Sequence, residues 1–356
     1  MGYYINRGGV KPIPDKIIAL FEHKIVKHNH VLYGKHEESY LKAGFEVFDH
    51  NCLYNADTVV FNRFHAVGDI LMCIPVLRQM KKHYNIRRVI LEFGTTKHVI
   101  EPDMFPDLEV VKVYDGEYDY YIDGENGLLE QDHSLLLGLT DVPRFTLYQR
   151  FLGLPEIKEL DFSFKEDKSK MLFDPVKDKV VFLALYSTTV VRKLSESFVW
   201  YLAKYLNFLG YKLLFVDDVP VMKDIDAIYA HGKTTVQQAI TNMKYCKMCI
   251  TIDTGSLWFS HYAKVPTIVI AGSTPKCVRM DYHPLKKSGK ALGVDMRKYC
   301  GCKYDCGGTG NYCLKHAICM NNFSYGKVLE EIATDIDKLM KVEKQNGSTK
   351  KKTDSE

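Results

Sequence analysis

The sequence predicts an α/β protein of two tandem domains, each a parallel sheet covered on both faces by helices. Three observations predict it. The chain has 356 residues, more than one hydrophobic core usually organises. It is 46% hydrophobic and 26% charged, an ordinary globular composition that excludes a largely disordered chain. Short apolar runs of strand length alternate with segments of helical periodicity in two blocks, separated by a stretch where the alternation lapses.

The elements follow in order. Residues 1–52 are rich in Lys, His and Tyr and read as an N-terminal extension. One helix is expected there from Asp15 to about His28, on the apolar stripe Ile17, Ile18, Leu20, Phe21 and Ile25. The first domain is expected over residues 53–175. Thr58–Phe61 reads as a strand, and Asp69–His83 as an amphipathic helix with Pro75 near its first turn. Val89–Phe93 is expected as a strand, Thr96–Ile100 as a short helix, and Val110–Tyr114 and Tyr120–Ile122 as strands. From about Thr140 to Asp178, three prolines (Pro143, Pro155, Pro175) and the charged stretch Lys165–Lys170 mark a connection. The second domain is expected over 176–322. Val180–Leu185, Lys212–Val216, Met248–Ile252 and Thr267–Ile270 are its strands, with helices at Ser197–Leu209, Val236–Met243 and Leu257–Ala263. A last helix at 323–343 precedes a Lys-rich tail, 344–356, expected to be disordered.

The formal net charge of +4 suits an acidic substrate and is too small to mark a nucleic-acid binder. No uncharged apolar run approaches the ~20 residues that span a bilayer, and the opening MGYYINRGGVKP has no apolar signal region. Asn6 stands where a myristoylation signal wants Ser or Thr. The expectation is a cytoplasmic protein whose thiols are reduced and whose only membrane association would be peripheral.

In open parallel sheets, ligands bind beyond the carboxyl ends of the strands, where loops meet helix N-termini. Three loops at such places carry suitable residues. The first is Arg63-Phe64-His65-Ala66-Val67-Gly68-Asp69, where Gly68 permits a tight turn and Asp69 begins a helix. That Asp could deprotonate a hydroxyl or simply cap the helix, and His65 could be a second acid-base group or a solvated loop residue. The second is Tyr186-Ser187-Thr188-Thr189-Val190-Val191-Arg192-Lys193, whose hydroxyls and two cations make a phosphate cradle or an ordinary surface loop. The third pairs Asp253-Thr254-Gly255-Ser256-Leu257 with Gly272-Ser273-Thr274, small-residue turns whose amides and hydroxyls suit a diphosphate.

Taken in order, these loops resemble the heptosyltransferase-type glycosyltransferases, glycosyltransferase family 9. The family's Gly-Asp followed by apolar residues and a Pro is matched by Gly68-Asp69-Ile70-Leu71 and Pro75. Its Thr-Thr with a Lys four residues on corresponds to Thr188, Thr189 and Lys193, and its Asp-Thr-Gly-Pro-Leu-His to Asp253-Thr254-Gly255-Ser256-Leu257-Trp258. Its Gly-Pro-Thr element resembles Gly272-Ser273-Thr274. The similarity runs from about Thr58 to Val328, and Trp258 departs from a His that approaches the donor in the family. The resemblance implies the GT-B fold, two Rossmann-like domains facing a cleft. It also implies transfer of a sugar from a nucleoside-diphosphate donor, ADP- or UDP-linked, by inverting displacement. In that reading Asp69 is the catalytic base, with His65 and Gly68 on the acceptor side. Thr188, Thr189, Arg192, Lys193, Asp253–Leu257, Gly272 and Thr274 bind the donor, and Asp218 meets its nucleoside. The implied acceptor is a lipopolysaccharide-core or other surface glycan. Alternatives are a virus-type enzyme that glycosylates hydroxylated bases of DNA, and a non-catalytic nucleotide-sugar-binding protein.

No carboxylate motif for a catalytic metal stands out, and none is required by a direct displacement. Five cysteines, Cys300, Cys302, Cys306, Cys313 and Cys319, crowd into twenty residues. Four of them could close a structural zinc site, with His316 as a further candidate ligand, or they could be reduced loop thiols or disulfides. Cys246 and Cys249 straddle the start of an apolar strand and are expected in the core.

Overall fold

Strands that a sheet buries on both faces read as unbroken apolar runs, and the central strands of this chain are such runs. The computed structural model describes residues 2–8, 11–12, 25–26, 29–34, 37–64, 66–94, 100–125, 142–187, 192–272, 279–300, 320 and 323–353. The chain divides into two units, Met1–Ser134 with Arg144–Lys165 and Leu135–Pro143 with Glu166–Glu356.

Unit 1 contains β1 (Gly2–Ile5), a short hairpin of β2 (Lys11–Pro12) and β3 (Ile25–Val26), β4 (His30–Gly34), α1 (Glu37–Lys42) and β5 (Glu46–Val47). These precede β6 (Thr58–Asn62), α2 (Val67–His83), β7 (Arg88–Glu92), β8 (Glu109–Val111), β9 (Tyr120–Ile122) and α3 (Arg144–Phe151). Its seven-stranded sheet has the order β5-β1-β4-β9-β6-β7-β8. β4, β9, β6, β7 and β8 run parallel, and β1 lies antiparallel between β4 and β5. The first 52 residues are therefore no appended extension. Three of their strands continue the sheet beyond β9, and Tyr4, Leu32, Tyr40 and Phe45 form a small core of their own there. Ile25–Val26 pairs with Lys11–Pro12 as a hairpin, which replaces the end of the helix expected over Asp15–His28. The rest of that expected helix lies outside the described residues, and so do residues 95–99, which hold all but the last residue of the short helix expected at Thr96–Ile100.

α2 begins two residues before Asp69, so Pro75 sits two turns inside it rather than at its start. Lacking an N–H, Pro75 cannot itself donate the helical bond one turn back. The segment after α3 stays with unit 1 because buried Arg78 grips it. Its guanidinium makes a two-bond fork to Asp107 and donates to the Asp161 carbonyl at 3.0 Å and the Ser163 carbonyl at 2.7 Å.

Unit 2 contains β10 (Val180–Ala184), α4 (Glu196–Phe208), β11 (Lys212–Phe215), β12 (Ala227–Tyr229), α5 (Val236–Lys244), β13 (Met248–Ile252), α6 (Gly255–Ala263), β14 (Thr267–Ala271), β15 (Ala291–Asp295), α7 (Arg297–Cys300) and α8 (Tyr325–Thr353). All six strands are parallel in the order β12-β11-β10-β13-β14-β15, the doubly wound dinucleotide-fold order with its switch point between β10 and β13. β10, β13 and β14 are buried at every position. α5 opens with a reciprocal capping box between Thr235 and Gln238, a device that contributes about 1 kcal/mol.

The unit boundary falls at Lys165/Glu166, ten residues earlier than expected. The cause is the polar face of α5. Thr241 accepts from the Asp167 amide at 3.0 Å, Asn242 bonds the Leu172 amide and the Lys170 carbonyl, and Lys244 and Tyr245 bind Glu166. The tail expected to be disordered continues α8 as helix to Thr353. Val328, Ile332, Ile336 and Leu339, spaced at three and four residues, lock that helix into the core of unit 2.

Candidate functional site

In unit 1, the strand order reverses in sequence between β6 and β9, and the loops leaving these two strands meet. Asn62 ends β6, and its side chain accepts from the Glu125 amide at 3.0 Å and donates to the Tyr121 hydroxyl at 3.2 Å. That hydroxyl donates in turn to Glu92 at the end of β7. Burial, with Glu92 beside it, raises the Tyr121 pKa and keeps the phenol a neutral donor. Gly124 makes the approach of the two loops feasible. A Cβ there would lie 2.1 Å from the Phe61 ring and 2.6 Å from the Asn62 carbonyl oxygen. Glu125 then bonds the Phe64 amide at 2.8 Å and lies 3.6 Å from Arg63, which is 1% exposed.

Asp69 stands above this network. It occupies the third position of α2, whose N-cap is Ala66, so it is not the cap. A carboxylate there still interacts favourably with the positive end of the helix dipole. Arg63 lies 3.9 Å and Arg144, the first residue of α3, 3.4 Å from the Asp69 carboxylate. Its side chain remains 19% exposed, whereas Glu125 is buried. Asp69 is thus a carboxylate oriented by two guanidinium groups and still open to solvent at the carboxyl end of β6.

In unit 2 the switch point lies between the loops that follow β10 and β13. Asp217, at the end of β11, accepts from the Tyr186 amide at 2.8 Å and fixes the start of the first loop. Burial pushes the Asp217 pKa up to about 6. Further along, the Lys193 ammonium sits 4.4 Å from the centre of the Tyr186 ring, a cation–π contact that holds it at the strand end. The second loop, Asp253-Thr254, leads into α6, whose N-terminus carries no side-chain cap. Its first amides are therefore oriented donors for an anion. Arg192 bridges the two loops by donating to the Asp253 carbonyl at 3.0 Å.

Around α6 lies a buried polar group that the sequence did not suggest. Asp253 is nearly buried and accepts from Arg279 at 3.0 Å, and Arg279 is itself 4% exposed. The Arg279 guanidinium lies 5.9 Å from the centre of the Trp258 ring, whose indole packs on His261, which packs on His283. Both imidazoles are buried. Loss of solvation lowers the His261 pKa to about 4, and desolvation with the charges of His261 and Lys286 lowers that of His283 well below its ordinary value.

The expected site residues thus divide. Asp69, Arg192, Lys193, Asp253, Thr254, Gly255 and Ser256 lie beyond the carboxyl ends of strands beside each switch point, in the loops or in the first turn of the helix that follows. Gly272 is buried directly after β14. Gly68 is a helical residue of α2 rather than a turn, and Leu257 is a core side chain against Val269 and Met280. Asp218 is exposed, and its neighbour Asp217 is the acid built into the strand end. Trp258, in the first turn of α6, is buried at 3% exposure. His65, Thr188, Thr189 and Thr274 lie outside the described residues. So do Cys302, Cys306, Cys313, Cys319 and the side chain of Cys300. Among the described residues no three His, Cys, Asp or Glu side chains are grouped to hold a metal ion. Cys246 and Cys249 are buried, and burial raises both thiol pKa values. Arg144, Glu125 and Arg279 were missed because isolated charges carry no local pattern, and Arg63 stood in the first loop without an assigned role.

No protein-family model and no curated protein matches the chain. Solved structures do. The iron-containing dodecameric glycosyltransferase TibC of enterotoxigenic Escherichia coli H10407 matches at 14% identity and a TM-score of 0.59, over 83% of this chain and 79% of that one. TibC as a heptosyltransferase in complex with ADP-D-beta-D-heptose matches at 14% and 0.58, over 96% and 91%. A glycosyl transferase of family 9 from Veillonella parvula DSM 2008 matches at 15% and 0.57, over 83% and 98%. No described helix is long and apolar enough to cross a membrane. The chain has the GT-B-type α/β fold of these glycosyltransferases.

Proposed function

We propose that the protein transfers a sugar from a nucleoside-diphosphate sugar to a hydroxyl of a glycan acceptor, with inversion at the anomeric carbon. One observation carries the reading. On a fold shared with solved glycosyltransferases, each unit brings its candidate residues to the carboxyl ends of its strands beside the switch point, an oriented carboxylate in one and a cationic, amide-lined turn in the other.

The chemistry follows from those groups. Asp69 takes the acceptor hydroxyl proton as that oxygen attacks the anomeric carbon and the bond to the diphosphate oxygen breaks. In unit 2 the leaving diphosphate gains negative charge. Arg192, Lys193 and the first amides of α6 provide fixed positive potential for it without reorganising. Asp217 stands at the end of β11, where doubly wound folds place the acid that meets the ribose. We read the acceptor as a lipopolysaccharide-core or other surface glycan, reached from the cytoplasmic side.

The test is binding and product analysis with ADP, UDP, GDP, CDP and dTDP and their sugars. One diphosphate at about 100 times its Kd should add roughly 2.7 kcal/mol to stability, visible as a melting shift. Lys193→Ala should blunt the shift. If no diphosphate moves the transition, the donor reading fails.

The five thiols of residues 300–319 are a soft donor set suited to zinc or iron, and two of the matched structures are described as iron-containing. We assign these cysteines a structural metal that takes no part in transfer. Elemental analysis of protein purified without chelator should give about one metal per chain, and Cys306→Ser with Cys313→Ser should remove it. Metal-free protein of full stability would end this assignment.

A further inference from the structure

Within the donor reading above, we propose that Arg279 is the positioning residue that sets Arg192 for the donor diphosphate, acting through Asp253 and braced by Trp258.

The contacts form one line through unit 2. Arg279 Nη2 is 3.0 Å from Asp253 Oδ2, and both side chains are almost wholly buried. That same Oδ2 is 4.0 Å from Arg192 Nη1, which donates to the Asp253 main-chain carbonyl at 3.0 Å. Arg192 is 27% exposed, so its side chain is held by Asp253 and still partly open to solvent. The Trp258 face limits where the Arg279 guanidinium can lie.

Two physical arguments make this a device rather than a stabilising pair. A buried ion pair repays little of its desolvation cost as stability, so Asp253–Arg279 is better understood by the geometry it fixes. That geometry concerns the first residues before α6, because Asp253 is joined directly to Thr254, the N-cap. Arg192, a long side chain, would otherwise lose rotamer freedom on meeting a phosphate. Holding it beforehand converts that loss into affinity. Asp253 thus anchors protein groups on two sides, its carboxylate to Arg279 and its main-chain carbonyl to Arg192.

The test uses the full chain in two arms. The first follows the side-chain Nε–H signal of Arg192 by NMR, assigned with Arg192→Lys. In the wild type it should be distinct and slow to exchange, and in Arg279→Gln it should collapse to the position of a free arginine. The second measures affinity for whichever nucleoside diphosphate of the panel shifts the melting transition. Arg279→Gln should weaken it about tenfold, the scale of one charge-assisted hydrogen bond. Arg192→Gln should match it, the double variant should be no weaker than either, and Arg279→Lys should restore part of the loss. Affinity for the corresponding nucleoside should stay unchanged in all of them. If Arg279→Gln alone fails to fold, Asp253→Asn with Arg279→Gln removes both buried charges and should show the same loss. An unmoved Arg192 signal, or additive losses, would overturn the inference. A wild type that binds no diphosphate overturns the donor reading, and the NMR arm then decides the Arg279–Arg192 link by itself.

Discussion

Asp69→Asn should cut the rate of sugar transfer by about 10²- to 10⁴-fold while leaving donor binding in place. The size follows from the role, because a general base acts only as the proton moves, and an amide of the same shape cannot accept it. The split between turnover and binding follows from the fold, because Asp69 belongs to unit 1 and Arg192, Lys193 and α6 to unit 2. The asparagine still fits the third position of α2 and still accepts from Arg144. Arg63 keeps Glu125 as a partner, and Arg144 keeps the amide oxygen as an acceptor, so the folded state should survive with a small loss. Single-turnover transfer, donor affinity by calorimetry and the melting temperature separate these effects. Equal activity in Asp69→Asn and wild type would remove Asp69 from the chemistry. A variant that loses donor affinity and activity together would point to damage beyond the carboxylate.

Much of this arrangement was legible in the sequence, and the limits have physical causes. Val180–Leu185, Met248–Ile252 and Thr267–Ile270 announced themselves because a strand covered on both faces must be apolar throughout. β12 escaped notice as an edge strand of three half-buried residues, and β1, β4 and β5 because their pairing is long-range and their composition mixed. In the site, Asp69 and the Asp253-Thr254-Gly255 turn stood out because strand, turn and helix start lie together in sequence. Glu125 is 62 residues from Arg63 and Arg279 is 26 from Asp253. Such partners become visible only when the sheet brings strand ends together. The order β12-β11-β10-β13-β14-β15 does this for unit 2, placing the loops after β10 and β13 on either side of one crevice.

The buried histidines His261, on α6, and His283 give the second large effect, a stability of unit 2 that rises with pH. His261 is fully buried between the Trp258 and His283 rings, with its Nδ1 3.1 Å from the Leu257 carbonyl. His283 accepts the Leu285 amide at Nδ1, so its neutral ring carries the proton on Nε2. Both rings fold as neutral groups, because burial removes solvent and, at His283, Lys286 adds positive charge. In the unfolded chain they titrate near 6.5. Below that pH the unfolded state binds more protons than the folded one, so the stability these groups contribute is full above about 6.5 and is lost as pH falls towards about 4. For His261 alone this amounts to about 3 kcal/mol. Asp217 works in the opposite sense. Its folded pKa is raised from 3.8 to about 6, so its contribution is present below 3.8 and lost as pH rises through about 6. Two imidazoles against one carboxyl leave the net slope positive. Both tryptophans, Trp200 and Trp258, lie in unit 2, so indole fluorescence during urea unfolding reports on this unit. Between pH 4.5 and 7 its unfolding midpoint should climb. Asp217→Asn should steepen the climb and His283→Gln, which can still accept the Leu285 amide, should flatten it by about one proton. A midpoint independent of pH, or a His283→Gln curve parallel to the wild type, would mean that these rings do not fold neutral.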